Sequence, residues 1–383
     1  MLRRVTFYHS LLWAKYKGLV FSRVHEHSGS REILASFVQV AETERKRTGL
    51  GGIDLSYHQY PFRLLFHGLY ERVPLPRRML ALARDLIRHP CELVVLPGYD
   101  RTEYWMMLII CILLGRKRAV FCESTIHDRT RSSWKEFAKR AFFRRCDGYF
   151  CYGIRSKDYI VHYGIDEKRV NYPCQATALP HSYNADDVLR EYTAKGFDAT
   201  SPQFLYVGRL SAEKGLDDLL DAFHLVRLSI PNATLVLIGA GTLKQQLITR
   251  AKHLGLAQSV TFLGPKKLEE IAVHFMQSVA LVLPSHSEPW GLVVNESLSY
   301  GCPVVVSDIC GCVPELVVPG VTGFSFEARN VRALSESMLS VLHFASDRLG
   351  AAKNCIERVS LFGPDRAAYE ILEGCNRILD GAS

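Results

Sequence analysis

Short, continuous apolar segments alternate with amphipathic segments throughout the second half of this 383-residue chain. The apolar segments occupy residues 204–208, 234–239, 260–264, 279–284 and 303–307. The segments between them place apolar residues at helical spacing, over about 215–228, 242–254, 268–276 and 291–300. Unbroken apolar runs are typical of strands buried on both faces of a parallel sheet. The alternation therefore predicts a doubly wound, Rossmann-like α/β domain.

The first half repeats this pattern less regularly. Strands are predicted at 4–8, 35–40, 93–97, 119–123 and 148–152, and helices at 77–88, 104–114 and 132–144. A polar stretch at 181–187 separates the halves, so we predict domains at 1–185 and 200–360, followed by a terminal segment at 361–383. Two domains of this kind are expected to face each other across a ligand-binding cleft at the carboxyl ends of their strands.

Composition indicates a globular protein without a membrane-spanning helix. Apolar residues make up 48% of the chain and charged residues 22%. The longest apolar run, 104–114, is about half the length needed to span a bilayer. No apolar signal stretch follows Met1, so secretion is not expected. The cysteine count of eleven is odd and includes no Cys-x-x-Cys, which predicts a cytoplasmic protein with free thiols and no zinc site.

Charge is unevenly distributed along the chain. Residues 1–180 contain 30 Lys and Arg against 17 Asp and Glu, whereas residues 181–383 contain 17 against 22. A basic half indicates an anionic partner. Arg131, Lys135 and Lys139 recur at helical spacing, which leaves two interpretations open: a core helix with a solvated side, or peripheral contact with the inner face of a membrane. No nucleic-acid-binding module accompanies the charge, so nucleic acid is not an expected partner.

The first chemical motif lies between a predicted strand and the helix after it. It reads Gly208-Arg209-Leu210-Ser211-Ala212-Glu213-Lys214-Gly215. Backbone N–H groups and the positive end of a helix dipole favour anions at such a position. Arg209 and Lys214 would add a guanidinium fork and a point charge suited to a diphosphate. A loop of solvated cations is the alternative interpretation.

The second motif, residues 285–296, follows the strand at 279–284. Glu288 lies in the loop, and Glu296 falls inside the next helix, where a carboxylate can accept hydrogen bonds from a ribose diol. The backbone of Gly291, Leu292 and Val293 marks a helix start that can approach phosphate.

With the segments 301–305, 311–315 and 320–324, these two motifs resemble the retaining GT-B glycosyltransferases of family 4, also called glycosyl transferases group 1. The resemblance implies a GT-B fold and a hexosyltransferase-type enzyme. Its substrates would be a nucleotide-sugar donor and a glycan or lipid-linked acceptor, in cell-surface polysaccharide or glycolipid synthesis. The terminal segment 361–383 would be a helix that crosses back to the acceptor-side N-terminal domain.

The resemblance also implies roles for individual residues. Gly208, Arg209 and Lys214 would bind the donor diphosphate, Glu288 the donor sugar beside the Gly291–Leu292–Val293 backbone, and Glu296 the ribose. His127 would lie near the reacting sugar, and Arg209, Lys214 and Glu288 would share the catalytic role with it. The glycine-rich loop usual after the first strand is replaced by residues 9–18, in which Gly18 alone could serve.

No Asp-x-Asp occurs in the chain, so no metal or other cofactor is expected and the predicted transfer is metal-independent. A dehydrogenase is disfavoured because Gly239-Ala240-Gly241 lacks the third glycine of the dinucleotide motif. A sugar phosphorylase of the same architecture and a non-catalytic nucleotide-sugar-binding protein stay open as alternatives.

Overall fold

A computed structural model of the chain describes residues 2–47, 51–126, 133–194 and 200–381. The chain forms two compact units. Unit 1 comprises Met1–Ala178 and Phe362–Ser383, and unit 2 comprises Leu179–Leu361. The first segment of unit 1 thus ends a few residues before the predicted domain limit at 185.

Unit 1 is built on a seven-stranded, fully parallel sheet with the order β3-β2-β1-β4-β5-β6-β7. Its strands are β1 (Arg3–Leu11), β2 (Ile33–Thr43), β3 (Phe62–Leu69), β4 (Leu93–Leu96), β5 (Lys117–Cys122), β6 (Gly148–Cys151) and β7 (Val170–Asn171). All four residues of β4 are completely buried, as a strand covered on both faces requires.

Helices cover both faces of this sheet. They are α1 (Lys15–Ser28), α2 (Leu75–Arg88), α3 (Thr102–Leu113), α4 (Ser133–Phe143) and α5 (Ile154–His162). One apolar core contains buried residues of α2, α3, α4 and α5. A second core, on the opposite face, contains buried residues of α1. We refer to α2 through α5 as the outer helix layer of unit 1.

Unit 2 is built on a six-stranded parallel sheet with the order β10-β9-β8-β11-β12-β13. Its strands are β8 (Gln203–Val207), β9 (Thr234–Ile238), β10 (Val260–Gly264), β11 (Ala280–Leu283), β12 (Val304–Ser307) and β13 (Gly323–Phe326). Its helices are α6 (Ala185–Ala194), α7 (Leu216–Ser229), α8 (Lys244–His253), α9 (Leu268–Gln277), α10 (Leu292–Ser299), α11 (Val313–Leu316), α12 (Val331–Ser340) and α13 (Arg348–Ser360). Both sheets therefore have the Rossmann-type strand order, with a switch point at the first strand.

The last helix, α14 (Pro364–Leu379), belongs to unit 1 although it follows unit 2 in sequence. Its apolar side packs against α1 and the second core of unit 1. Gly374 is required at this contact, because a Cβ atom there would lie 2.5 Å from the Asn171 side chain and 2.6 Å from the Phe150 ring. Asn376 and Arg3 add a hydrogen bond of 2.6 Å between the helix and β1.

The predicted fold class is confirmed as two Rossmann-like parallel α/β domains. Predicted strands of the second half agree with β8 through β12 to within two residues at either end. None of the described helices is long and apolar enough to cross a membrane.

Candidate functional site

The two chemical motifs of unit 2 lie at the carboxyl ends of neighbouring strands. Strands β8 and β11 pair directly, at the point where the strand order of the sheet reverses. The first motif follows β8, and the second follows β11. Ligands of open α/β sheets bind in the crevice at such a switch point. The strand order thus brings together two segments that are about 75 residues apart in sequence.

The β8–α7 loop is held in place by hydrogen bonds to the neighbouring strand β9 and to Tyr206 of β8. The Gly208 N–H donates to the carbonyl of Ile238 at 2.9 Å, and the Tyr206 hydroxyl donates to the carbonyl of Arg209 at 2.7 Å. Burial, followed by the negative charge of Glu288, raises the pKa of Tyr206 well above its usual value, so this hydroxyl stays a donor. The half-exposed Arg209 guanidinium lies 3.0 Å from the Glu213 carboxylate. Arg209 is thereby available at the surface of the crevice.

Gly215 allows the end of this loop to approach β11 closely. Its φ of +64° lies in the left-handed region, which glycine adopts at little cost. A Cβ atom at this position would lie only 2.1 Å from the carbonyl oxygen of Pro284 and 2.9 Å from the ring of His286. Any larger residue would therefore push the two motifs apart.

Lys214 and Glu288 form an ion pair between the two motifs. Both side chains are largely buried, with 11% and 15% of their surfaces exposed. A charge-assisted hydrogen bond in such surroundings fixes both groups more firmly than a solvated pair would be fixed. The residue predicted to bind the diphosphate thus touches the residue predicted to bind the donor sugar.

The backbone around Glu288 is fastened to the turn that begins with Gly311. The Gly311 N–H donates to the carbonyl of Glu288, and the Cys312 N–H donates to the carbonyl of Trp290, both at 3.0 Å. A Cβ atom on Gly311 would lie 1.8 Å from the carbonyl oxygen of Pro289. Segment 311–315 of the family resemblance therefore shapes the loop that carries Glu288.

The remaining predicted donor-site residues lie in or beside α10. Gly291 is the N-cap of this helix, with a φ of +99°, and Leu292 and Val293 form its first turn. Glu296 follows in the second turn and is half-buried. The helix start thus stands directly after the loop of Glu288, where its N–H groups favour an anion.

His286 and Asp218 belong to the site but were not among the predicted site residues. The Nε2 atom of His286 lies 2.7 Å from a carboxylate oxygen of Asp218, and its backbone N–H donates to the carbonyl of Glu213 at 2.8 Å. Burial would raise the pKa of Glu213. Its hydrogen bonds and the charges of Arg209 and Lys214 outweigh this effect, so the pKa of Glu213 is lowered. The position of His286 inside the second motif could have identified it as a site residue. Its partner Asp218 could not be inferred from the sequence.

A separate cavity of about 520 Å³ lies in unit 1, at the carboxyl ends of β1, β4, β5 and β6. It is lined by aromatic and charged side chains, among them Tyr16, Tyr152, Asp100 and Glu123. The cavity thus occupies the switch point of the first sheet. His127, the predicted catalytic histidine, lies outside the described residues, as does Arg131 of the predicted basic helix.

Lys17 is a buried cation in the lining of this cavity. Only 1% of the residue is exposed, and its Nζ atom lies 3.9 Å from the ring centroid of Phe121 and 4.7 Å from that of Tyr152. Within the described ranges, Nζ has no hydrogen-bond partner. Burial lowers the pKa of Lys17 to about 8. The ammonium is stabilised by aromatic faces and by the charge of Glu123 rather than by a direct ion pair.

Burial shifts the pKa values of His9 and Glu123 in opposite directions. Burial, followed by the charge of Lys17, lowers the pKa of His9 to about 3, so its ring is neutral at neutral pH. Burial raises the pKa of Glu123, although Lys17 and a hydrogen bond with Tyr152 partly counteract it.

Gly18 does not replace the missing glycine-rich loop. It lies inside α1, where a Cβ atom would come within 2.7 Å of the His58 ring.

Comparison with known proteins supports the chemistry that the fold and this site indicate. Residues 190–358, which include the β8–α7 and β11–α10 loops, match the family model described as "Glycosyl transferases group 1". This match and the relatives named below support a glycosyltransferase, an enzyme that transfers sugars.

Two curated relatives illustrate the range of the similarity. The glycogen synthase of Mycobacterium tuberculosis is 31% identical over 275 residues, which represent 69% of this chain and 66% of that protein. The chain thus spans about two thirds of that relative's length. The D-inositol 3-phosphate glycosyltransferase of Frankia alni is 24% identical over 339 residues and 82% of each chain.

Solved structures have a similar fold over nearly the whole length of this chain. The HepE protein of Anabaena, in complex with UDP, has a TM-score of 0.71 at 17% identity, covering 98% of this chain and 99% of that one. At this level of identity the likeness shows the fold. Together with the two Rossmann-like sheets, it supports the α/β GT-B fold.

Proposed function

We propose that the chain is a retaining, metal-independent glycosyltransferase that moves a sugar from a nucleoside diphosphate donor to a glycan or lipid-linked acceptor. The observation that carries this proposal is the meeting of Lys214 with Glu288 at the switch point of unit 2, beside Arg209 and the start of α10. Several named relatives are glycosyltransferases, and the similar HepE structure contains UDP.

The chemistry of the reaction matches these groups. When the nucleoside diphosphate leaves, negative charge grows on its phosphates while the anomeric carbon becomes cation-like. Fixed cations such as Arg209 and Lys214, together with helix-end N–H groups, would stabilise that developing charge. Glu288 would accept hydrogen bonds from donor-sugar hydroxyls, and Glu296 from the ribose. No carboxylate is assigned as a nucleophile. The bond from the anomeric carbon to the leaving phosphate breaks as the acceptor oxygen bonds to that carbon, and the leaving phosphate would take the acceptor proton.

The cavity of unit 1 is the proposed acceptor site. Its aromatic rings offer faces on which sugar rings pack, and Asp100 and Glu123 offer carboxylates for hydroxyl groups. We place the reaction in the cytoplasm, because all eleven cysteines are free thiols, and assign it to cell-surface polysaccharide or glycolipid synthesis. An anionic membrane surface is the proposed partner of the basic first half of the chain.

Calorimetric titration of UDP, GDP and ADP in the presence of EDTA tests the donor site. We expect one nucleotide to bind, and Lys214→Ala and Glu296→Ala each to weaken it by roughly tenfold or more, since each loses a hydrogen bond to the ligand. The exposed Lys252→Ala and Glu269→Ala are matched controls and should bind like the wild type. Equal affinity in all five proteins would contradict the donor-site assignment.

Product analysis then separates this proposal from its alternatives. Transfer from the preferred nucleotide sugar should proceed in EDTA, and NMR of the product should show the anomeric configuration of the donor. Turnover of glycosides only with inorganic phosphate would indicate a phosphorylase. Tight nucleotide-sugar binding without turnover against any acceptor would indicate a binding protein.

A further inference from the structure

Three helices of the outer layer of unit 1 expose large apolar side chains. The largest exposures are 79% for Leu113 in α3, 76% for Phe137 in α4 and 61% for Ile87 in α2. Further exposed aliphatic side chains on α2, α3 and the residue after α3 are Leu80, Ile109, Ile112 and Leu114. Single exposed apolar residues are common on proteins, whereas a cluster on adjoining helices marks a contact surface.

These helices form one continuous surface. Helices α2 and α3 pack against each other, and Arg116, just after α3, donates to the carbonyl of Leu86 in α2 at 2.7 Å. Helix α3 meets α4 where the rings of Trp105 and Phe142 stack edge to face, with centroids 5.1 Å apart. The apolar side chains of the three helices therefore belong to a single layer.

Basic residues alternate with the apolar residues on this surface. On α2 the exposed stripe runs Leu80, Arg84, Ile87 and Arg88, which are spaced at about one helical turn. On α4, Phe137 is followed by the exposed Arg140, and Arg144 comes one turn later, just after the helix. Among the described residues, these arginines have no carboxylate within ion-pair distance. We call Leu80, Arg84, Ile87, Arg88, Ile109, Ile112, Leu113, Phe137, Arg140 and Arg144 the arginine-rich face.

Acidic residues of the three helices are turned away from this face. Each helix has one acidic residue in its described sequence, and each of the three is paired inside unit 1. Asp85 accepts from the Tyr8 hydroxyl at 2.7 Å and pairs with Arg63 at 2.9 Å. Glu103 pairs with Arg78 at 2.9 Å, and Glu136 accepts from the Tyr163 hydroxyl at 2.6 Å. Among the described residues of these three helices, the outward side is thus apolar and positive without a compensating acid.

We propose that the arginine-rich face docks unit 1 on the anionic surface of a phospholipid bilayer. Its aliphatic and aromatic side chains would enter the boundary between headgroups and acyl chains, while its arginines pair with lipid phosphates. A second copy of the chain fits less well, because a symmetric contact would bring arginines against arginines. This inference rests on the membrane partner of the proposed function and identifies the surface that makes the contact.

Vesicle sedimentation tests the proposal with the full chain. The probes are vesicles of phosphatidylcholine alone and of phosphatidylcholine mixed with phosphatidylglycerol. One variant combines Arg84→Glu with Arg88→Glu, and a second combines Ile87→Asp with Leu113→Asp. The matched control combines Leu228→Asp with Arg332→Glu, two highly exposed positions of unit 2.

We expect the wild type and the control to bind the anionic vesicles and not the neutral ones. Two lost arginine contacts should reduce partitioning at least about thirtyfold, because each basic residue near an anionic surface contributes about 1 kcal/mol. Binding of the wild type should weaken with salt, and the apolar variant should also lose affinity. Melting temperature and nucleotide affinity should be unchanged in both variants, which distinguishes lost docking from lost folding or lost donor binding.

Three outcomes would overturn the proposal. One is absence of wild-type binding to anionic vesicles while the nucleotide still binds, which leaves the proposed catalytic function intact. Another is equal binding by wild type, both variants and the control. The third is retention on immobilised polyglutamate, lost in the Arg84→Glu/Arg88→Glu variant, without vesicle binding, which would indicate an acidic protein partner.

Discussion

At the scale of single residues, Lys17 is the least expected feature of unit 1. A lysine that is 1% exposed and has no hydrogen-bond acceptor within the described ranges costs folding free energy, because its charged form is desolvated. Natural selection for stability alone would favour an apolar residue of similar volume. Its position in the lining of the proposed acceptor cavity is consistent with an electrostatic role toward His9 and Glu123.

Replacement of Lys17 by methionine should therefore stabilise unit 1 at neutral pH. Burial lowers the pKa of Lys17 from 10.5 to about 8, so the unfolded chain binds the proton more tightly than the folded one. The resulting penalty is complete below pH 8, roughly 3 kcal/mol, and disappears as pH rises toward 10.5.

Urea unfolding of Lys17→Met and wild type at pH 7 and near pH 10.5 measures this difference. The variant should gain stability at pH 7, and the gain should shrink at the higher pH. The exposed Lys353→Met in unit 2 serves as the control and should show neither effect. A variant that is less stable than the wild type at both pH values would mean that the cation–π contacts dominate.

Glu288→Gln should separate sugar recognition from phosphate binding. The change removes the carboxylate that pairs with Lys214 but keeps the size of the side chain. We expect affinity for the free nucleoside diphosphate to stay within about threefold, whereas turnover falls by about a hundredfold, since transition-state contacts act mainly on the rate.

Steady-state kinetics and calorimetry on the same preparations check this expectation, with Glu269→Gln as the exposed control. A loss of nucleotide affinity as large as the loss of turnover would assign Glu288 to the phosphates instead of the sugar.

At the scale of elements, the turn from β8 into α7 is the most demanding local structure. Gly215 combines a positive φ with a contact that leaves no room for a methyl group. Gly255, just after α8, has a similar φ of +72°, but a Cβ atom there would meet nothing within 4 Å. A substitution at Gly255 therefore tests backbone strain alone, whereas a substitution at Gly215 tests strain together with steric exclusion.

Gly215→Ala should destabilise unit 2 and weaken nucleotide binding, whereas Gly255→Ala should cost only the strain of about 1 kcal/mol. Thermal unfolding and calorimetry with the preferred nucleotide provide the two readouts. If both variants lose equal stability and both bind normally, the contact between Gly215 and Pro284 does not constrain the site.

Element prediction from sequence worked best where burial was uniform. The strands of unit 2 were found because their apolar runs are unbroken. The helix predicted for the terminal segment 361–383 is observed as α14 over Pro364–Leu379. Strand β3 was missed because it is an edge strand that is half-buried along its length. Its sequence therefore lacks the unbroken apolar run that marks a fully buried strand. Helix α1 was missed because lysine, glycine and histidine interrupt its apolar pattern.

The side of α4 that meets the core does not follow from its sequence. Phe137 is apolar, yet it is 76% exposed. Phe142 and Phe143 form the buried contact instead. Both sides of this helix carry aromatic residues, so periodicity alone does not distinguish the core side from the arginine-rich face.

At the scale of the whole molecule, the cysteines behave as small apolar residues. Ten of the eleven are buried, and Cys91 is half-buried, with all of them free. Burial raises the pKa of many of these thiols, for example Cys302 to about 11 and Cys111 to about 12. Raised thiol pKa values and poor access both suppress reaction with thiol reagents.

Thiol titration without added reductant should therefore give about one reactive group in the native protein and eleven in denaturant. The colour yield of a disulfide exchange reagent such as DTNB measures both values. A yield of nine in denaturant would reveal a disulfide and argue against a reducing environment. Several fast thiols in the native protein would contradict the burial described above.

The sequence by itself determined the two Rossmann-like domains, the resemblance to glycosyltransferases and the composition of the two chemical motifs. These features depend on local preferences: apolar runs, helix periodicity, and glycines at positions such as Gly215 where the backbone requires them. Only the tertiary structure decided that Lys214 pairs with Glu288, that Lys17 lines a cavity and that arginines and apolar side chains share one face. These depend on strand order and helix packing, which join residues whose separation along the chain carries no record of their contact.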